Sequence, residues 1–162
     1  MVDVEEFASL STRSTTMLVA IKSLFIFPVG QGYGSYIVHF PKMLLPMHQN
    51  IVNFTGLPLL DFEMRDMITT GRFLGVKTGI LQEVLYNGFV AVFFFYYLFK
   101  YYFNECKSIQ EKGLNILFVF AGFYCLVELL FTAEYLTAYY ILFPFLILYK
   151  INQNQLLAKK KI

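Results

Sequence analysis

Residues Ile80 to Phe103 read ILQEVLYNGFVAVFFFYYLFKYYF, an apolar run with Glu83 near its start and Lys100 near its end. Its length suits the roughly 20 residues that cross about 30 Å of hydrocarbon, so the run is predicted as a transmembrane helix. Two later stretches repeat the theme. LNILFVFAGFYCLVELLF, Leu114 to Phe131, predicts a second span carrying Glu128, and YLTAYYILFPFLILY, Tyr135 to Tyr149, predicts a shorter third span kinked at Pro144, a kink that neighbouring helices tolerate within a bundle. The expected fold is an all-α integral membrane protein with three transmembrane helices.

Composition agrees. Of 162 residues 57% are hydrophobic, 19 are Phe and 12 are Tyr, with a mean hydropathy of +0.57, against about 45 to 50% apolar residues in soluble domains. Polar character is concentrated in the first 78 positions, which hold both histidines and most of the acids. The chain thus divides into three regions: an extracytoplasmic segment at 1–78, the three-helix membrane region at 79–150, and a basic tail at 151–162. Lysine placement orients them. Lys100, Lys107 and Lys112 flank the loop between spans one and two, and Lys150 with Lys159, Lys160 and Lys161 comes after span three. The positive-inside rule makes both segments cytoplasmic and sends residues 1–78 outside.

The opening MVDVEEFASLSTR has no basic segment ahead of an apolar core, so it does not read as a signal peptide. The expectation is that the chain forms the C-terminal part of a longer membrane protein, or works beside one that supplies upstream spans. Cys106 falls in the predicted cytoplasmic loop and Cys125 in span two, which argues against a disulfide. A net charge of +2, with its bases where topology requires them, gives no support to nucleic-acid binding.

The outer region opens with STTMLVAIKSLFIF, Ser14 to Phe27, which places Met17, Leu18, Ile21, Leu24 and Phe25 at helical spacing. It predicts an amphipathic interfacial helix, entered through Ser11 or Thr12 and ended by Pro28. FPVGQGYGSY comes next, where Gly30, Gly32 and Gly34 permit positive φ and close approach by a backbone or a ligand. The spacing is neither a dinucleotide fingerprint nor a P-loop; a helix cap and loop is the local reading. From Tyr36 to Gly79 runs a mixed stretch with His39, Lys42, His48, Arg65, Arg72 and Lys77, whose prolines and glycines are expected to exclude one uninterrupted helix. Loops of that length tend to be functional.

The order of these pieces carries a resemblance. Arg13, then LVAIKSLFIFPVGQGYGSY, a polar outer loop, VKTGILQEVLYNGFVAVFFFYYLFKYY and two closing spans resemble the C-terminal part of the O-antigen polymerase (Wzy) and O-antigen ligase superfamily. The resemblance implies an inverting glycosyltransferase without metal or cofactor, joining undecaprenyl-diphosphate-linked oligosaccharide repeat units at the outer face of the cytoplasmic membrane. Its products are O-antigen, capsule or exopolysaccharide. Lys77, Thr78 and Gly79 answer to the family's K-[ST]-G segment, where ligase-type members carry a histidine; this favours polymerase over ligase.

Most residue roles come from the same resemblance. Arg13 matches the arginine ahead of the amphipathic helix and is the first choice for stabilising the diphosphate, because guanidinium offers two parallel hydrogen bonds. Arg72 is the better second arginine, since Arg65 lies between Glu63 and Asp66 and reads as a structural ion pair. His48 and His39 match no aligned position of the family; imidazole chemistry alone makes His48 the candidate acceptor base, and a hydrogen-bonded loop role is the alternative for each. Lys77 binds phosphate or anchors span one, and Gly30, Gly32 and Gly34 line the substrate mouth. Partners implied are the lipid bilayer, an upstream half of the same enzyme and a chain-length regulator. The alternatives are a non-catalytic accessory or truncated membrane protein of a polysaccharide cluster, or a ligase fragment.

Overall fold

The computed structural model describes the backbone of residues 2–57, 59–72, 74–109, 111–132 and 139–159, and the side chains of those among them that fall within 9–132 and 141–153. Regular structure in these residues is all helical: α1 (Val2–Ile26), α2 (Gly32–Thr55), α3 (Phe62–Thr70), α4 (Gly79–Asn87), α5 (Phe89–Cys106), α6 (Lys112–Phe131) and α7 (Tyr139–Lys159). The all-α expectation is met. Where the helices begin and end differs from it in four places.

First, α1 starts well before Ser14, so Ser11 and Thr12 are not its entry. Both are buried mid-helix, on a stripe with Thr15, Thr16, Val19, Ala20 and Ser23, and α1 packs against α2, α4 and α3. Short hydroxyl side chains look like surface in a sequence, yet they let helix backbones approach closely. Pro28 does end the helix, after a last bond from Phe27 N–H to Ser23 O at 2.7 Å.

Second, the stretch expected as a long loop contains two helices. α2 runs through both Pro41 and Pro46. Each proline removes a ladder bond at a cost of about 3 kcal/mol. Against that, Phe40, Leu44 and His48 share one buried face, and full burial of a large apolar side chain contributes roughly 1.5 to 3 kcal/mol. For two prolines and two apolar side chains the terms are of similar size, and the contacts of His48 with Leu59 O and Ser11 Oγ add to the side of the helix. It takes a glycine, Gly56 at φ 66°, to end the helix.

Third, the run from Ile80 to Phe103 is not one helix. It breaks at Gly88 (φ 60°, ψ −139°) into α4 and α5. α4 packs with α1 and α2, while α5, α6 and α7 pack with each other, and α4 touches α5 and α6. One core comprises Val19, Ala20, Phe40, Leu44, Val76 and Leu85. A second joins Phe95 and Phe99 to Cys125, Leu129 and Ile141, and a third holds Tyr102, Cys106, Phe118 and Leu148. Cys106, expected in a loop, is therefore core; both cysteines are buried free thiols.

Fourth, α7 continues past the predicted end of span three, so the segment read as a tail is helical as far as Lys159. Residues 135–138 of that span lie outside the described residues. Asn152 holds the extension: its amide donates to Glu105 Oε2, and it accepts from Ser108 Oγ at 3.0 Å.

Among the described residues one helix, Lys112–Phe131, is long and apolar enough to cross a membrane, and only 22% of that window is buried. A soluble core helix would be mostly covered. A shorter apolar helix spans Ile141–Gln153. Phe93, Phe94, Tyr96, Tyr97 and Tyr101 on α5, with Phe120, Phe123 and Tyr124 on α6, stand exposed.

Candidate functional site

Thr78 starts the site. Extended at φ −143°, ψ 139°, it caps α4 by accepting from Leu81 N–H at 3.3 Å. The next amide, Gly79 N–H, donates to Thr132 O at 2.9 Å, bringing the end of α6 to the start of α4. Arg13, midway along α1, reaches the same place: its Nη1 donates to Phe131 O at 3.2 Å. The cation meets the Phe131 carbonyl at the C-terminus of α6, where the macrodipole favours positive charge.

These contacts frame a cleft of about 390 Å³ lined by Leu10, Arg13, Ser14, Met17, Lys77, Thr78 and Phe131. Two cations and two hydroxyls share it with the positive end of α4. The Gly79 and Leu81 N–H groups are already bonded to Thr132 O and Thr78 Oγ1, so what suits an anion here is the pair of cations beside the positive end of the helix dipole. Lys77 Nζ also lies 3.3 Å from Glu63 Oε1 on α3. Among the described residues, the cleft lining contains no carboxylate and no imidazole.

Of the residues singled out in the sequence, Arg13 and Lys77 meet here. The others do not. Arg72 is exposed just beyond the left-handed Gly71, its own N–H donating to Thr70 Oγ1 at 3.1 Å. Arg65 is in an ion pair as expected, but with Asp61 at 2.7 Å, one turn earlier, rather than with its sequence neighbours.

His48 is 4% exposed, on α2 rather than in a loop. Nε2 lies 3.3 Å from Leu59 O and Nδ1 3.5 Å from Ser11 Oγ. Because a carbonyl only accepts, Nε2 carries the proton in this arrangement and Nδ1 faces the Ser11 hydroxyl. The ring ties α1 and α2 to the segment ahead of α3. His39 is exposed, its ring 5.3 Å from that of Phe27.

The glycine turn is elsewhere too. Gln31 N–H donates to Leu85 O and Phe89 N–H to Pro28 O, both at 2.9 Å, so the turn sits at the C-terminal end of α4. The cleft is at its N-terminal end, about 13 Å away for a nine-residue helix. The expected mouth, with the turn beside Arg13, is thus split in two. Gly30 is needed for backbone contact: a Cβ there would lie 2.1 Å from Tyr86 O. Gly32 has positive φ but open space around it, and Gly34 lies within α2.

Sequence reasoning missed Leu10, Ser14, Met17 and Phe131 as site residues. Only Thr78 carried a signal, as a capping residue ahead of an apolar run. Among the described residues no group of three or more His, Cys, Asp or Glu side chains could hold a metal ion. Comparison with protein families, with curated proteins and with solved structures finds no match to this chain.

Proposed function

We propose that the chain is part of a multi-pass polysaccharide polymerase of the cytoplasmic membrane, in which the cleft between α1 and α4 receives the diphosphate of an undecaprenyl-diphosphate-linked oligosaccharide. The observation that carries this is the meeting of Arg13 and Lys77, distant in sequence, at the N-terminus of α4 in one cleft. In this reading α5, α6 and α7 lie in the bilayer with the C-terminus cytoplasmic, and residues 1–78 lie at the outer face. The exposed aromatic and aliphatic surface of α5 and α6 suits contact with lipid.

The chemistry assigned to the cleft is electrostatic. When an acceptor hydroxyl attacks the anomeric carbon of the donor, the bond from that carbon to the diphosphate oxygen breaks and the diphosphate leaves with the electron pair. Cations placed at that oxygen stabilise the charge as it develops. Arg13 supplies guanidinium N–H groups and Lys77 an ammonium. The acceptor's proton goes to a base outside this cleft.

That last point favours a second reading. A cleft with cations but no base fits an accessory subunit that binds the lipid diphosphate without transferring the glycan. One experiment separates the two. Arg13→Ala, placed in the complete cellular system, is expected to lower polymer formation by about 10²-fold with protein abundance unchanged, while purified protein in nanodiscs loses affinity for undecaprenyl diphosphate. Lost affinity with normal polymer selects the accessory reading. Unchanged affinity removes both.

A further inference from the structure

The Lys77 ammonium is already engaged by a carboxylate of the same chain. Glu63 Oε1 stands 3.3 Å from Lys77 Nζ, with both side chains partly covered, 30% and 26% exposed respectively. Glu63 lies in the first turn of α3, where a negative side chain is favoured by the helix dipole. Lys77 belongs to the segment entering α4 and lines the cleft. The ion pair therefore connects α3 to the anion cleft.

The build of α3 suits a contact that can be exchanged. The helix has nine residues and buries two side chains, Met64 and Met67. At its C-terminal end Gly71 is left-handed (φ 68°), with nothing within 4 Å of where a Cβ would stand. Gly71 itself is held by backbone conformation, while Ile68 before it and Leu74 after it pack against the core. At the N-terminal side the anchor is a hydrogen bond, His48 Nε2 to Leu59 O.

Resting on the proposed diphosphate role of the cleft, we infer that Glu63 is a resident counter-ion: it occupies Lys77 in the empty state and must yield the ammonium to an incoming diphosphate. The contact is autoinhibitory. Ligand binding exchanges the intramolecular carboxylate for a phosphate oxygen, and the first turn of α3 loses its tie to α4. Because the pair is partly solvated, its removal favours ligand only modestly. An exchange of this kind corresponds to roughly a two- to fivefold change in affinity.

The test uses the full chain in nanodiscs, with inorganic diphosphate as probe, and compares wild type with Glu63→Gln and Lys77→Gln. Glu63→Gln is expected to bind diphosphate tighter by that factor, and Lys77→Gln to bind it more weakly. Without ligand, both variants are expected to speed amide exchange across residues 62–70. Adding diphosphate is expected to speed exchange there in wild type alone. A pair that serves structure only would loosen α3 without tightening binding. Equal or weaker binding by Glu63→Gln, with wild type binding normally, overturns the counter-ion role and leaves the cleft intact. Absence of diphosphate binding by wild type and Glu63→Gln alike overturns both.

Discussion

The amide of Phe89 donates to the carbonyl oxygen of Pro28 at 2.9 Å, joining the turn after α1 to the break between α4 and α5. Two glycines make the contact possible. Gly88 adopts φ 60°, ψ −139°, and a Cβ on it would lie 2.1 Å from Pro28 O; Gly30 faces Tyr86 O in the same way. With Gln31 N–H bonded to Leu85 O, carbonyls near the end of α4 and the end of α1 find donors across the junction.

Gly88→Ala and Gly30→Ala are therefore expected to cost about 3 kcal/mol or more, combining backbone strain with collision against backbone atoms that cannot move aside. Gly32→Ala is the control. Its φ of 73° is strained for alanine but the space is open, so about 1 to 2 kcal/mol is expected. Denaturant unfolding of the protein in detergent measures the order; a larger loss at Gly32 than at Gly88 would contradict it.

Gly122 on α6 meets the ring of Tyr102 on α5, where a Cβ would stand 2.4 Å from Cε1, and the Tyr102 hydroxyl donates to Phe118 O at 2.9 Å. Gly122→Ala should push α5 and α6 apart at a cost of about 1 to 3 kcal/mol. In a Tyr102→Ala background the same change should cost much less. A double-mutant cycle reads the coupling, and additive losses would show that the two residues do not press on each other.

His48→Ala removes a buried ring with contacts at both nitrogens and leaves Leu59 O and Ser11 Oγ without it. A loss of about 2 to 4 kcal/mol is expected, from the cavity and the unpaired groups together. His39→Ala, at an exposed position, should fall within about 0.5 kcal/mol of wild type. Equal stability of the two variants would refute the structural role given to His48.

Asn152→Leu removes the amide that joins α7 to Glu105 and Ser108. Glu105 then loses a charge-assisted partner, for about 1 to 3 kcal/mol. The loss should be local, appearing as faster amide exchange at 141–153 with α1 to α4 unaffected. Uniform protection across α7 in the variant would show that the apolar contacts of Ile141 and Leu148 hold the helix without it.

The sequence by itself determined the helical class and the crowding of apolar residues after position 78, because composition and long apolar runs leave few other ways to satisfy a backbone. It marked Pro28 as a helix end, since a ring at that place denies the next turn its donor. It also drew attention to Arg13, Lys77 and Thr78. Only the tertiary structure decided that Arg13 and Lys77 share a cleft while Arg72 and His48 lie elsewhere, for that depends on how α1 packs on α4. Likewise Pro41 and Pro46 read as breakers and are overruled by the buried stripe of Phe40, Leu44 and His48, whereas Gly88 reads as one small residue in an apolar span and interrupts it. Local propensity weighs a few kcal/mol at one position; the contacts that reverse it are made with residues far away along the chain.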